Sequence, residues 1–332
     1  MAPESISNSD SSTVRGVALG LFATDPEFDY GDLVDEIAAR GATEVLVVIN
    51  GHQSDLHTAD VALTYGPSVS TIERTFSQIR RHGMGITVMP TVQLLRRSPG
   101  VWRGRISPRQ GPNAWFSAYR RFMLPLARMA STAGADRFIV GSELVSLTVY
   151  EASWRALISE LRTIFPGRLT YSANWDHYTQ VPFWDALDEI GVTGYFPLVE
   201  SGEAIPRGIA AWRPHRDALS HFATHHGKPL LITELGYAST LGAAQSPWQG
   251  GGTTPSRDAL QLQADLLTQF CDAFTAPDAK AIGGFFFWNW FGVGGPRDPG
   301  FTPRGKPAAQ AVERCLRSAR WPKPKPDAVA AR

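Results

Sequence analysis

Two stretches decide the fold: Phe138-Ile139-Val140-Gly141-Ser142-Glu143 and Pro229-Leu230-Leu231-Ile232-Thr233-Glu234. Each is a short apolar run that ends on a carboxylate. Runs of this length, separated by helical stretches, read as strands of a parallel sheet buried on both faces. A charged side chain directly after such a strand needs a partner or a chemical task, because burying an unpaired carboxylate is costly.

Working outward, similar runs occur at 17–22, 44–49, 85–90, 168–173, 190–195 and 281–288, and with 137–141 and 229–233 they make eight candidate strands. Between them lie amphipathic stretches. Leu33, Val34 and Ile37 recur at helical spacing before Gly41, and Ile72, Phe76 and Ile79 share one helical face. Trp115, Phe116, Tyr119 and Phe122 form an apolar stripe between Asn113, a suitable N-cap, and Gly134, a suitable stop. Further helices are expected near 154–165, 213–226, 257–274 and 307–318. The alternation predicts an α/β chain folded as a (β/α)₈ TIM barrel of eight strands and eight helices. A doubly wound open sheet would want a glycine-rich phosphate turn after its first strand, and Ala23-Thr24-Asp25-Pro26 is not one.

The barrel is expected to span residues 16–320 as one domain. The serine-rich segment 1–15 and the proline- and lysine-rich tail 321–332 read as disordered. A loop at 93–112 carries five arginines and forms a candidate rim. The glycine-rich stretch 242–255 around Trp248 reads as a mobile loop.

Composition narrows the partners. With 32 Lys and Arg against 31 Asp and Glu, the net charge of +1 offers no general field for nucleic acid or anionic lipid. No stretch is apolar enough to span a bilayer, and the N-terminus lacks the cationic start and apolar run of a secretory signal. A cytoplasmic protein is the expectation from the sequence as it stands, secreted only if a leader has been removed, and a monomer or weak homo-oligomer. Cys271 and Cys315 are too few and too widely spaced for a disulfide framework, so both are expected as free thiols. Ten tryptophans exceed what a core of this size requires, and their flat faces suit stacking on sugar rings.

In a TIM barrel the active site is built at the carboxyl ends of the strands. Glu143 would emerge there from strand four and Glu234 from strand seven. Either one alone could cap a helix or pair with an arginine. Two at corresponding places favour chemistry, and glycosidic cleavage needs two carboxyl groups flanking the bond, one to protonate the leaving oxygen and one to attack or to direct water. His52, Asp55, His57 and Asp60 match no common metal spacing, so neither metal nor cofactor is expected. Arg96, Arg97, Arg103 and Arg105 read as solvated loop residues rather than as an acidic-substrate site, and His221, His225 and His226 as helix-surface residues.

Several stretches together resemble a known family, the clan A glycoside hydrolases, and within it glycoside hydrolase family 113, a family of β-mannanases. They are Ala114-Trp115-Phe116-Ser117-Ala118-Tyr119, Ile139-Val140-Gly141-Ser142-Glu143-Leu144, Leu169-Thr170-Tyr171-Ser172-Ala173-Asn174-Trp175, Phe183-Trp184-Asp185, Gly194-Tyr195-Phe196-Pro197-Leu198 and Thr233-Glu234-Leu235-Gly236-Tyr237, with the run at 284–290. The resemblance covers most of the chain from about Gly16 to Arg314. It implies a retaining hydrolase of β-linked mannan or manno-oligosaccharides, with Glu143 as acid/base, Glu234 as nucleophile, Tyr195 donating a hydrogen bond to Glu234, and Trp288 as the floor beneath the reacting sugar. Many clan A members carry asparagine immediately before the acid/base to hold the sugar 2-hydroxyl. Here that residue is Ser142, which leaves the contact unassigned, with Asn174 and Trp175 as candidates. Asn50, His52, Gln93 and Trp290 are further candidates for the sugar-binding face. A non-catalytic carbohydrate-binding barrel and a transglycosylase are the alternatives.

Overall fold

The computed structural model describes residues 13–96, 98, 100–200 and 208–322. Eight parallel strands close in sequence order into a barrel: β1 Val14–Gly20, β2 Glu44–Gln53, β3 Gly85–Leu94, β4 Arg137–Ser142, β5 Arg168–Ala173, β6 Ile190–Thr193, β7 Leu230–Leu235 and β8 Gly284–Phe287. The helices are α1 Gly31–Ala39, α2 Val69–Arg81, α3 Pro112–Thr132, α4 Glu151–Ile164, α5 Arg213–His225, α6 Arg257–Phe274 and α7 Pro307–Leu316. The barrel is thus as expected, but the described residues form seven α-helices rather than eight. After β5 the chain, which includes Pro182, makes two short 3₁₀ turns, Tyr178–Gln180 and Trp184–Ala186, and returns to β6.

Several boundaries move. β2 and β3 run on to Gln53 and Leu94, so Gln93 is a strand residue and not the start of a loop. Helix α3 starts at Pro112, whose missing N–H costs nothing there, after the cap residue Gly111; Asn113 lies inside the helix and is not the cap. Gly134 does end it, in the left-handed conformation at φ +64°, as Gly41 does for α1 at +86°. β1 begins at Val14, inside the segment expected to lack order. At the other end Trp321 is buried, stacking on Phe285 at 4.6 Å and donating from its ring nitrogen to the Cys315 carbonyl. The large ring covers the lower end of β8, which is why order extends past 320. Residues 1–12 and 323–332, for which disorder was also expected, lie outside the described residues.

The cysteines are not free. Cys271 on α6 and Cys315 on α7 are joined in a disulfide with a Cα–Cα distance of 5.8 Å, within the range such bonds favour. Neighbouring packed helices bring together what a separation of 44 residues hides.

Two cores hold the barrel. The larger lies between the sheet and the helices. The smaller fills the barrel interior with Ala18, Leu46, Val48, Met89, Ile139, Leu231 and Phe286, and Trp288 lies against it. Gly16 has no side chain because the Phe286 ring occupies the place where a Cβ would sit. The lower end is closed by charge: Arg137 donates to Glu44 at 2.8 and 3.1 Å and to Glu189 at 2.8 and 3.1 Å, with all three side chains buried. A bidentate guanidinium between two carboxylates satisfies groups that would otherwise be very costly there. Arg137→Leu leaves Glu44 without its cation and Glu189 with only the half-exposed Arg168, whose Nη1 lies 2.8 Å away, so chemical denaturation should show a loss of about 3–5 kcal/mol; a loss under about 1 kcal/mol would mean that the Arg137 ion cluster does not hold this end.

Candidate active site

The upper end of the barrel is where the ladder becomes irregular. Register shifts occur between Ile139 and Ser142 on β4, between Val192 and Thr193 on β6, and between Ile232 and Leu235 on β7. Such bulges re-aim side chains at strand ends. Glu143 takes φ +54°, and it is the one non-glycine residue with positive φ among the described residues. That conformation costs on the order of 1–3 kcal/mol. Hydrogen bonds hold the surrounding backbone in place: Glu143 N–H donates to the Ser172 carbonyl at 2.9 Å, and Leu144 N–H to the Tyr171 hydroxyl at 2.8 Å.

These distortions bring Glu143 and Glu234 to a common space. Glu234 accepts from the Tyr195 hydroxyl at 3.1 Å through Oε2 and from the Ser142 hydroxyl at 3.3 Å through Oε1. Arg103 stands between the two carboxylates. Its Nη2 is 3.0 Å from Glu143 Oε2 and 4.0 Å from Glu234 Oε1, which puts those oxygens within about 7 Å of each other. Arg103 also donates through Nε to the Ser142 carbonyl at 3.0 Å and through Nη2 to the Ser142 hydroxyl at 3.3 Å.

Arg103 was expected as a solvated loop residue; its side chain is only 19% exposed. It belongs to a 3₁₀ turn, Arg103–Arg105, on the β3–α3 connection. That connection is pinned by buried Ile106, whose carbonyl accepts from Ser146 at 2.6 Å, and by backbone bonds from Ser107 to Leu56 and Arg109 to His57. The available signal was that lone buried anchor among polar residues. Of the other loop arginines, Arg96 pairs with Asp55 at the surface and Arg105 is exposed, while Arg97 lies outside the described residues.

The electrostatics follow from burial. Desolvation pushes the Glu234 carboxyl up to about 7, and the charge of Glu143 pushes in the same direction. Arg103, Tyr195 and Ser142 pull the other way. Burial, and then the charge of Glu234, drives the Tyr195 hydroxyl well above its ordinary value, so it remains a donor.

The remaining candidates divide by position. Leu46 and Val48 on β2 and Met89 on β3 fill the barrel interior, and the two-residue strand period puts Asn50, His52, Thr91 and Gln93 on the same inner face nearer the mouth. Asn50 accepts from Thr91 at 2.5 Å, and His52 meets Tyr65 edge-on at 5.5 Å. Trp288 follows β8 at the top of the interior core, half-buried and tilted against Phe22. Trp175 stacks on Trp248 at 5.6 Å and meets Phe196. This contact, with buried Ala243 and Ala244 and a bond from Leu198 N–H to the Ala244 carbonyl, anchors the loop expected to be mobile. Asn174 is bonded to Asp176. Trp290 is not in the mouth at all: it is buried, with its ring nitrogen donating to Glu36 of α1 at 2.8 Å. Asp55, His57 and Asp60 brace their own loop through Arg96, the Ser107 carbonyl and Ser54.

A closed (β/α)₈ barrel with two carboxylates facing each other across its mouth has the architecture of a glycoside hydrolase. The chain belongs to glycoside hydrolase family 113, whose model matches residues 27–294. Among solved structures, it is similar to a GH113 β-mannanase, AaManA from Alicyclobacillus acidocaldarius in complex with ManMIm, at 26% identity and a TM-score of 0.80, with 93% of this chain and 99% of that one covered. A GH113 β-1,4-mannanase superposes with a TM-score of 0.80 at 22% identity, covering 92% and 99% of the two chains. GH5_18 from Streptomyces cattleya in complex with GlcNAc shares the fold at a TM-score of 0.63 and 13% identity, covering 95% and 83%. No curated protein sequence matches the chain. Among the described residues no helix is long and apolar enough to cross a membrane.

Because the fold raises the Glu234 pKa from 4.5 to about 7, its contribution to stability is fully present below about pH 4.5 and is lost as pH rises through about 7. Glu234→Gln lacks this loss. Its unfolding free energy relative to the parent should therefore rise by on the order of 3 kcal/mol between about pH 4 and about pH 8; a difference that does not change with pH would contradict the shift.

Proposed function

We propose that this family 113 hydrolase cleaves β-linked mannan or manno-oligosaccharides with retention, through two displacements carried by Glu143 and Glu234. The observation that carries the reading is the different support of the two carboxylates. Glu234 is buried and receives hydroxyl donors on both oxygens, from Tyr195 and Ser142, which orients it and favours its ionised form. Glu143 is less buried, at 12% side-chain exposure against 4%, and stands across the mouth. The mannan preference rests on the family and on the β-mannanases to which the fold is similar.

In the first displacement Glu234 attacks the anomeric carbon while Glu143 gives its proton to the departing glycosidic oxygen, and a glycosyl ester forms on Glu234. In the second, Glu143 takes a proton from water, the water oxygen attacks the same carbon, and Glu234 leaves as carboxylate. The cycle requires Glu234 ionised at the first attack, a form that the Tyr195 and Ser142 hydroxyl donors favour against the upward push of burial. Trp288 supplies an apolar face beneath the sugar, with Asn50, His52 and Gln93 on the same inner wall.

Ser142 prompted the reading of a binding protein without chemistry. The Ser142 hydroxyl bonds to Glu234 directly, which supports the catalytic reading over that one. The Cys271–Cys315 disulfide favours an oxidising compartment over the cytoplasm.

On aryl β-mannosides, Glu143→Gln should lower kcat/KM by less than about 10-fold when the leaving phenol is acidic and by more than about 10³-fold on manno-oligosaccharides, whereas Glu234→Gln should lose at least about 10⁴-fold on both. Equal, mild losses in both variants would remove the assignment.

A further inference from the structure

Arg103 has more donors than the protein uses. Nε is taken by the Ser142 carbonyl, and Nη2 by the Ser142 hydroxyl and Glu143. Among the described residues no acceptor pairs with Nη1, so a guanidinium held by Nε and by Nη2, which stands between the two carboxylates, keeps the N–H groups of Nη1 free.

We propose that Arg103 contacts the substrate, donating to the 2-hydroxyl of the sugar whose bond is cleaved. The inference rests on the two-glutamate reading above. If Glu234 attacks the anomeric carbon and Glu143 protonates the oxygen leaving it, a group 3.0 Å from one carboxylate and 4.0 Å from the other sits beside that carbon. Within reach from there are the two neighbours of the anomeric carbon, the ring oxygen and the carbon bearing the 2-hydroxyl. The ring oxygen gains positive charge in the oxocarbenium-like transition state, so a guanidinium beside it would slow the reaction. The 2-hydroxyl oxygen accepts a hydrogen bond, and one that shortens as the transition state forms accelerates the reaction. Ser142 cannot serve instead, because its hydroxyl is already spanned between Arg103 and Glu234. Ser142 holds the guanidinium, and Arg103 reaches the sugar.

The test compares an aryl β-mannoside with its 2-deoxy analogue, using the parent enzyme, Arg103→Ala and Arg103→Lys. The parent should lose about 10- to 100-fold in kcat/KM on the 2-deoxy compound, the range expected for a hydrogen bond to a charged group. Because Arg103 also stands between the carboxylates, Arg103→Ala should lower kcat/KM on both compounds, but by about 10- to 100-fold more on the mannoside than on the 2-deoxy compound, and Arg103→Lys should recover part of the mannoside rate. Equal losses on both compounds, at unchanged unfolding temperature, mean that Arg103 only positions the carboxylates and overturn the proposal. If Arg103→Ala unfolds, the parent and Arg103→Lys decide alone: the lysine variant must discriminate less between the two compounds than the parent. A parent enzyme that turns over neither compound, nor any other aryl β-glycoside, refutes the two-glutamate reading and this proposal with it; a parent that turns over both at equal rates refutes this proposal alone.

Discussion

Two carboxylates and one guanidinium share the mouth of this barrel, and most of what surrounds them follows from keeping that arrangement out of water. Two negative charges buried near each other raise the proton affinity of the site. One cation between them limits the rise without abolishing it, and Glu234 settles near neutrality. The protein places the cation by a route quite unlike that of the carboxylates. Glu143 and Glu234 are strand-end residues of the barrel itself, whereas Arg103 arrives on a connection pinned by Ile106 and Ser146. The barrel supplies the carboxylate pair, and a loop supplies the charge that tunes it.

The two ends of the barrel solve the same electrostatic problem in opposite ways. At the lower end Arg137 makes four short bonds to Glu44 and Glu189, each carboxylate is fully engaged, and the arrangement only stabilises. At the upper end Arg103 makes one short bond to Glu143 and stays 4.0 Å from Glu234, so capacity for hydrogen bonding remains. The backbone makes the same contrast. The ladder shifts register near the mouth, and Glu143 is held at a positive φ that a side chain rarely adopts. Strain retained at one end of an otherwise regular barrel is what a functional surface requires and a structural one does not.

Much of this was legible in the chain. The eight apolar runs, their spacing and the glutamates after 138–142 and 229–233 follow from periodicity and from the cost of burying charge. Tyr195 was reachable only through resemblance, and it does bond to Glu234. What the sequence hides is whatever depends on a loop's path. Arg103 looked like its neighbours Arg96 and Arg105 because composition does not tell which arginine of five folds inward. Trp290 looked like Trp288, yet two residues on, past the end of β8, its ring points to Glu36 and not to the mouth. Cys271 and Cys315 looked unrelated because neighbouring helices α6 and α7 meet far apart in sequence. The missing eighth helix reflects two 3₁₀ turns that satisfy the return to β6 without any amphipathic stripe.

The central claim is that Glu234 forms a covalent bond with the sugar while Glu143 faces it. Incubation with an activated 2-deoxy-2-fluoro-β-mannoside, followed by peptide mass spectrometry, reads this directly. The expected result is one fluorosugar added per chain, on the peptide bearing Glu234, with activity lost in step with labelling. Label on Glu143, or no adduct together with a product of inverted anomeric configuration by proton NMR, would contradict it.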